Sequence, residues 1–125
     1  MSNRTPIFAA DGPKPAGPYS HAIIANGFVW VSGQGPHEPK TGALPADFEG
    51  EVAQTLRNLE TILKAAGTDL AHVVKVTAYL TDLGKFGAYN EVYKSFFPKE
   101  PPARTTVQAG LAGIQVEIDC IAVLP

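Results

Sequence analysis

One arginine in the sequence is placed where it could bind an anion. Arg104 lies in residues 103–109, whose β-branched content and period-2 alternation predict a strand. One face of that strand would carry Arg104, Thr106 and Gln108. A guanidinium group keeps its charge inside a protein and offers a planar fork of donors that fits a carboxylate or a phosphate. The segment therefore predicts an anion receptor, and the alternative is an arginine on a solvated edge strand.

The histidines and the cysteine show no arrangement for metal binding or nucleophilic catalysis. His21, His37 and His72 fall on three different predicted segments and lack metal-ligand spacing, which favours structural or surface roles. Cys120 lies in an apolar strand pattern and is predicted to be an inert core residue. Because it is the only cysteine, no internal disulfide can form, and a reducing, cytoplasmic compartment is the simplest expectation.

Length and composition limit the classes of protein that fit. A chain of 125 residues with 45% hydrophobic residues and no shift in composition predicts a single domain over residues 1–125. Ten basic and twelve acidic residues give a net charge of -2 without a basic cluster, which argues against nucleic acid as the main partner. The N-terminus leads into no apolar run suited to a signal peptide or a membrane span, so we expect a soluble protein with no membrane partner.

A hairpin is the first element of the scaffold that must position Arg104. Two apolar runs, residues 20–25 and 28–32, are joined by Asn26-Gly27. This pair is a strong hairpin signal because both residues tolerate a positive φ. The second strand would place Ser32 at the open end of an apolar surface.

Two irregular segments flank the hairpin. Residues 9–19 are rich in Gly and Pro and predict an arm without regular hydrogen bonding, ending at Tyr19. Residues 33–42 carry turn residues, so we predict a connecting loop there.

Two amphipathic helices follow. From residue 47 to 66 apolar residues recur at steps of three and four, with Asp47 as the candidate N-cap. Residues 86–96 show the same spacing, with Thr81 or Asp82 available as the cap. The apolar positions of the second helix are aromatic, which is typical of a core rather than of a ligand site, and Asn90 lies at their margin. These aromatic residues are Phe86, Tyr89, Tyr93 and Phe96.

The order of elements predicts the architecture. Alternating residues 72–80 predict a strand between the helices, and residues 116–124 predict a final strand that is apolar on both faces in its second half. Strand-helix-strand connections put both helices on one face of a single mixed sheet, which is an α+β fold. A final strand that is apolar on both faces needs cover on the bare side. The simplest cover is another subunit, so we expect an obligate homo-oligomer.

Six short motifs are spread in order over nearly the whole chain. They are Gly17-Pro18-Tyr19-Ser20, Val31-Ser32-Gly33-Gln34, Lys64-Ala65-Ala66-Gly67, Asn90-Glu91-Val92-Tyr93, Pro102-Ala103-Arg104-Thr105 and Val116-Glu117-Ile118. Together they resemble the motifs of the RidA (YjgF-type) enamine/imine deaminases. The resemblance implies a fold similar to trimeric chorismate mutase, in which three sheets pack around a central axis and leave three clefts between subunits. It therefore implies a homotrimer with inter-subunit active sites.

The resemblance also implies a reaction. Members of this family hydrolyse 2-aminoacrylate, 2-aminocrotonate and their imine tautomers to 2-oxo acids and ammonia, with no metal or cofactor. Arg104 matches the residue that grips the substrate carboxylate, and Glu117 matches the residue that positions the attacking water. Both are therefore the catalytic candidates. The positions expected to bind substrate beside Arg104 are Tyr19, Ser32, Gly33, Asn90 and Thr106.

Two departures from the family pattern leave alternatives open. Thr106 stands where the family often has cysteine, so a cysteine nucleophile is not required. Residues 110–113 make a shorter connection than usual, which leaves the cleft shape and the side-chain preference open. A non-catalytic binder of 2-oxo acids would use the same arginine, and Glu117 alone argues for turnover. A ribonuclease or a chaperone-like holdase would have to act without a basic footprint.

Overall fold

Within residues 3–125, which the computed structural model describes, six strands form one mixed sheet with two helices on one face. The predicted α+β class is thereby confirmed. The strands are β1 (Thr5–Ile7), β2 (Ala22–Ala25), β3 (Phe28–Gln34), β4 (Val73–Leu80), β5 (Ala103–Gln108) and β6 (Val116–Val123), and the helices are α1 (Phe48–Ala65) and α2 (Phe86–Phe96).

The strand order across the sheet is β1-β2-β3-β6-β4-β5. The last strand, β6, lies between β3 and β4 and runs antiparallel to both. At one edge of the sheet, β5 pairs with β4 in parallel. Because β5 has a neighbour on one side, its outer backbone N–H and C=O groups have no sheet partner in the single chain.

Local signals in the sequence set the hairpin and the first helix. Asn26 and Gly27 connect β2 to β3 with φ values of 54° and 78°, as the predicted turn requires. The Asp47 carboxylate accepts a hydrogen bond from the Gly50 N–H at 2.7 Å and caps α1. Both predictions are confirmed. Neither helix in residues 3–125 is long and apolar enough to cross a membrane.

The structure differs from the expected elements at three places. The sequence pattern did not predict β1, because three residues that include a proline are too short for a periodic signal. Strand β3 runs through Gln34 instead of ending at Ser32, because a bulge lets it continue pairing with β6. The Asp82 side chain caps the 3-10 turn Leu83–Lys85, not α2.

The core lies between the sheet and the helices. Along β6 every second residue, from Val116 to Ala122, is buried, and the intervening residues are half-buried on the opposite face. Cys120 belongs to the buried set, as predicted, and burial raises the pKa of its thiol to about 12. At pH 7 the thiol is therefore protonated and is a poor nucleophile.

The face of the sheet opposite the helices carries an apolar patch. Trp30 is 45% exposed and lies beside Ile121 in the β3/β6 register. Phe28 and Val123 form the next pair of the same patch. The prediction of a final strand with apolar residues on both faces is confirmed, and the patch has no cover in the single chain.

Candidate functional site

Strand β5 places Arg104 on the helix-covered face of the sheet. In the β4/β5 register Arg104 lies beside Val76, which is fully buried. The guanidinium carbon lies 4.6 Å from the ring centroid of Tyr93, 5.1 Å from that of Tyr89 and 5.5 Å from that of Phe86. The cation is therefore held among three aromatic rings of α2, whose faces attract positive charge.

The polar contacts of Arg104 leave most of its donors free. Its Nη2 donates a hydrogen bond to Asn90 Oδ1 at 2.8 Å, so the amide at the margin of α2 turns toward the arginine. No carboxylate within residues 3–125 forms an ion pair with Arg104. Arg104 is also half-buried, so the alternative of a freely solvated arginine does not describe it. A half-buried cation without an acidic partner is suited to bind an external anion.

Three hydroxyl groups close to Arg104 in the fold are buried and have no hydrogen-bond partner among the described residues. They belong to Tyr89, Tyr93 and Thr106. Burial raises the pKa of Tyr93 to about 12, against the opposing charge of Arg104. Thr106, a predicted substrate-binding residue, lies beside Ala78 of β4, and its Oγ1 does not reach solvent in the single chain.

Glu117 lies on the other face of the sheet. In the β4/β6 register it is directly opposite Tyr79. Its carboxylate packs against Gly33 of β3, where an added β-carbon would lie 2.5 Å from Glu117 Oε2. Glycine is therefore required at position 33 if the Glu117 carboxylate is to keep this place.

The arm of residues 9–19 is fixed against the sheet by two polar side chains. The His21 Nδ1 accepts a hydrogen bond from the Ala9 N–H at 2.8 Å, so the Nε2 carries the proton and donates to the Pro13 carbonyl at 2.6 Å. The Ser32 hydroxyl donates to the Ser20 carbonyl at 2.6 Å. His21 is therefore structural, as predicted, and the Ser32 hydroxyl proton is already used within the chain.

A cleft of about 210 Å³ lies between the arm and the sheet. Tyr19, Gly33 and Glu117 line it together with Ile114, which belongs to the short connection before β6. A shallower depression next to it is lined by Tyr19, Ser32, Gly33 and Glu117. The Tyr19 hydroxyl accepts a hydrogen bond from the Ala16 N–H at 3.1 Å, which ties the ring to its own arm. Four of the predicted site residues are thus neighbours.

A buried carboxylate fixes the start of β6 and so the position of Glu117. Glu51 of α1 is 5% exposed and accepts hydrogen bonds from the Gln115 backbone N–H at 2.9 Å and from its side-chain amide at 3.0 Å. The Lys85 ammonium donates to Gln115 Oε1 at 2.6 Å. Gln115, two residues before Glu117, is therefore held through its backbone N–H by Glu51 and through its side chain by Glu51 and Lys85.

Burial and a neighbouring acid raise the pKa of Glu117. Burial is the larger cause, and the negative charge of Asp119, two residues along the same face, is the second. Burial also raises the pKa of Asp119, although a hydrogen bond from the Tyr79 hydroxyl at 3.2 Å and the charge of Lys75 oppose this. A carboxyl group with a raised pKa is a stronger base once it is ionised, which suits proton transfer near neutral pH.

Asp119→Asn is expected to move the acid limb of any Glu117-dependent rate to lower pH. Below its pKa Glu117 is protonated and cannot accept a proton, so the rate falls as the pH falls through that value. Asparagine removes the nearby negative charge and lowers the pKa of Glu117, so the ionised form persists further into acid. A pH-rate profile of the parent and the variant measures the shift. Asp69→Asn, at an exposed residue paired with His72, is the control, and an unmoved limb would contradict this reading.

The predicted site residues form two groups on opposite faces of the sheet. Arg104, Asn90 and Thr106 lie on the helix-covered face. Tyr19, Ser32, Gly33 and Glu117 lie together on the other face. A single chain therefore holds two separate groups of candidate residues and does not bring Arg104 and Glu117 into one cleft.

Sequence reasoning did not identify Tyr79 and Asp119 beside Glu117, or the aromatic rings as partners of Arg104. A signal for Asp119 was present, because Glu117 and Asp119 share a face of one strand. Tyr79 depends on the non-local pairing of β4 with β6, which the sequence does not reveal. Within residues 3–125 no group of three or more His, Cys, Asp and Glu side chains is placed to hold a metal ion.

Comparison with known protein families gives a match over most of the chain. The family model described as Endoribonuclease L-PSP matches residues 9–124. A 2-iminobutanoate/2-iminopropanoate deaminase of Rattus norvegicus is 41% identical over 123 residues, which cover 96% of this chain and 90% of that protein. A RutC family protein of Pyrococcus horikoshii is 43% identical over 119 residues, which cover 93% of this chain and 94% of that protein.

Solved structures give the same result for the fold. The crystal structure of E. coli TdcF with bound serine is similar with a TM-score of 0.92 and 35% sequence identity. The similarity covers 97% of this chain and 99% of that chain. The sheet with its two helices is therefore shared over nearly the full length of both proteins.

Proposed function

The chain belongs to the RidA (YjgF-type) family, and on that premise we propose that it hydrolyses small 2-imino acids to 2-oxo acids and ammonia. The imines are the tautomers of enamines such as 2-aminoacrylate and 2-aminocrotonate. The observation that carries this proposal is the half-buried Arg104, which has free donors and no acidic partner among the described residues. Related proteins are named imine deaminases, and a similar solved protein is described with bound serine, a small amino acid.

The reaction requires one group that binds the substrate carboxylate and one that transfers protons. Arg104 would hold the substrate carboxylate through two parallel hydrogen bonds, which fixes the imine carbon in place. Glu117 would accept a proton from water as the water oxygen bonds to the imine carbon, and the C=N electron pair becomes a nitrogen lone pair that takes this proton from Glu117. Glu117 would then carry the proton of the new hydroxyl group to the amino nitrogen as the C–N bond breaks, ammonia leaves and the C=O bond forms. No metal or redox cofactor is needed, because the imine carbon is already electrophilic.

We further propose that each site is completed by a second copy of the chain in a homotrimer. Arg104 and Glu117 lie on opposite faces of one sheet, so the Arg104 half-site of one subunit would have to meet the Glu117 half-site of a neighbour. The apolar patch around Trp30 and Ile121 needs cover, and packing of sheets from several subunits would supply it.

The mass of the protein in solution is expected to be near three times 13.2 kDa at micromolar concentration. Light scattering or analytical ultracentrifugation measures it directly. Trp30→Lys, which places a charge in the apolar patch, is expected to lower the mass and the activity together. A monomer with full activity would contradict the shared site.

A coupled assay tests the proposed activity. Threonine dehydratase releases 2-aminocrotonate, which hydrolyses slowly by itself to 2-oxobutyrate. Adding this protein is expected to speed the release of 2-oxobutyrate without changing the consumption of threonine. If the rate of 2-oxobutyrate release stays the same at every protein concentration, the proposed activity is wrong.

A non-catalytic binder of 2-oxo acids is the second candidate, because the Arg104 half-site is an anion receptor regardless of Glu117. The two candidates differ in turnover, which the coupled assay measures. The description of the matched family model names an endoribonuclease. A net charge of -2 without a basic cluster gives that activity little support here, because binding to a phosphate backbone depends on Lys and Arg.

A further inference from the structure

Three aromatic rings around Arg104 form a cation-π site for its guanidinium group. Phe86, Tyr89 and Tyr93, called here the aromatic clamp, follow one another at steps of three and four along α2 and therefore share one face of the helix. Their ring centroids lie between 4.6 and 5.5 Å from the guanidinium carbon of Arg104. Asn90, the residue after Tyr89, supplies the one side-chain oxygen within residues 3–125 that accepts a hydrogen bond from the guanidinium.

Aromatic rings affect the charge and the donors of Arg104 differently from a salt bridge. A carboxylate beside Arg104 would neutralise its charge and occupy the donors that an anion needs. Ring faces attract the cation without accepting its in-plane N–H hydrogen bonds, so the charge and most of the fork stay available. The rings also restrict a long side chain that otherwise loses much conformational freedom when it binds. The aromatic clamp therefore holds Arg104 in a restricted conformation with donors free to bind an anion.

The tyrosine hydroxyls do not explain the clamp. The hydroxyl groups of Tyr89 and Tyr93 are buried, and neither has a hydrogen-bond partner at normal distance and angle among the described residues. The Tyr93 hydroxyl does lie near enough to the Arg104 guanidinium for a weak polar contact to oppose the rise of its pKa, so the contributions of ring and hydroxyl are separated below by Tyr93→Phe. Tyr89 is fully buried and Tyr93 is 6% exposed. What both residues offer to Arg104 is the ring face, which phenylalanine would also offer.

We propose that Phe86, Tyr89 and Tyr93 are positioning residues that set the affinity of Arg104 for the substrate carboxylate through their ring faces. The inference rests on the proposed function, because it concerns the same anion site. Contacts to the carboxylate are equally strong before and during hydrolysis, so the clamp acts on binding rather than on the chemical step. Loss of a ring raises the KM for the imine and weakens the binding of 2-oxobutyrate, and kcat changes little.

Substitutions at position 93 separate the ring from the hydroxyl. Tyr93→Leu removes the closest ring and is expected to weaken 2-oxobutyrate binding by about fivefold to tenfold, with kcat within about twofold of the parent. Tyr93→Phe keeps the ring and is expected to bind within about twofold of the parent. Phe86→Leu, at a residue that is 42% exposed, removes a ring with little risk to folding and is expected to weaken binding by about threefold.

A matched control distinguishes positioning from general packing. The Phe97 ring lies 4.7 Å from the Tyr93 ring and is 7% exposed, but it makes no ring contact with Arg104. Phe97→Leu is therefore expected to lower the thermal midpoint about as much as Tyr93→Leu while leaving 2-oxobutyrate affinity unchanged. The variants are compared by calorimetric titration, thermal unfolding and the coupled assay.

The results distinguish failure of the aromatic clamp from failure of the proposed imine hydrolysis. If Tyr93→Leu and Phe86→Leu bind 2-oxobutyrate like the parent, the clamp is wrong, even where the parent shows full turnover. If Tyr93→Phe loses as much affinity as Tyr93→Leu, the ring face is not the active feature and the inference is also overturned. A parent protein that neither binds 2-oxobutyrate nor speeds its release refutes the proposed function itself.

Discussion

Glu117→Gln is expected to lower the rate of imine hydrolysis by about a hundredfold to ten-thousandfold, which is the usual contribution of general acid-base assistance. Glutamine keeps the size and most of the hydrogen bonding of the side chain. It cannot accept a proton from water, because it carries no negative charge. Burial and Asp119 raise the pKa of Glu117, which shows that its surroundings favour proton uptake by this carboxylate.

Binding of 2-oxobutyrate should survive the same substitution. The product carboxylate is expected to bind Arg104, which lies on the opposite face of the sheet from Glu117. In the proposed shared site, removing the negative charge of Glu117 leaves that contact intact and reduces repulsion of the anion. In Glu117→Gln, turnover is therefore expected to fall while the affinity for 2-oxobutyrate is retained.

Three measurements on one preparation decide the result: enamine hydrolysis, 2-oxobutyrate binding and the thermal midpoint. Glu91→Gln is a suitable control, because Glu91 is an exposed carboxylate that pairs with Lys94 on the surface of α2. A lower thermal midpoint with unchanged turnover per folded molecule would mean that Glu117 has a structural role. The metabolite binder would then be the better description.

Local patterns were sufficient to predict much of the scaffold. The Asn26-Gly27 turn, the Asp47 cap and the alternation of β6 each depend on residues close together in the chain. Arg104 was identified for the same reason, because strand alternation and the chemistry of a guanidinium are both local properties. The motif resemblance added Glu117, whose pattern alone gave no role.

Contacts between residues far apart in the chain could not be predicted from the sequence patterns. Nothing in the pattern shows that β6 enters between β3 and β4, and this placement brings Glu117 opposite Tyr79 and against Gly33. The aromatic residues of α2 were predicted as core, which is correct for Tyr89 and Tyr93 and wrong for Phe86, which is 42% exposed near the start of the helix. Their second contact, with Arg104, depends on how α2 packs over β5 and so required the structure.

Arg104→Lys is expected to reduce kcat/KM by at least about tenfold. Lysine keeps the positive charge but loses the planar fork, so a carboxylate is held by a single point charge instead of two parallel hydrogen bonds. A hydrogen bond to a charged group is worth about 1.5 to 3 kcal/mol, and about 1.4 kcal/mol corresponds to tenfold in rate. The shorter side chain with its ammonium group would also lose the close approach of the guanidinium to the Tyr93 ring and the hydrogen bond to Asn90 Oδ1.

The kinetic and binding effects of Arg104→Lys should agree, in contrast to those of Glu117→Gln. Both kcat/KM in the coupled assay and the affinity for 2-oxobutyrate are expected to fall, because the same contact serves substrate and product. Arg57→Lys, at an exposed position of α1, provides the control for the exchange itself. An Arg104→Lys variant that binds 2-oxobutyrate and turns over like the parent would show that charge alone is sufficient at this position. The bidentate grip on the carboxylate would then be wrong, and with it the reason for a clamp that leaves the guanidinium donors without an acidic partner among the described residues.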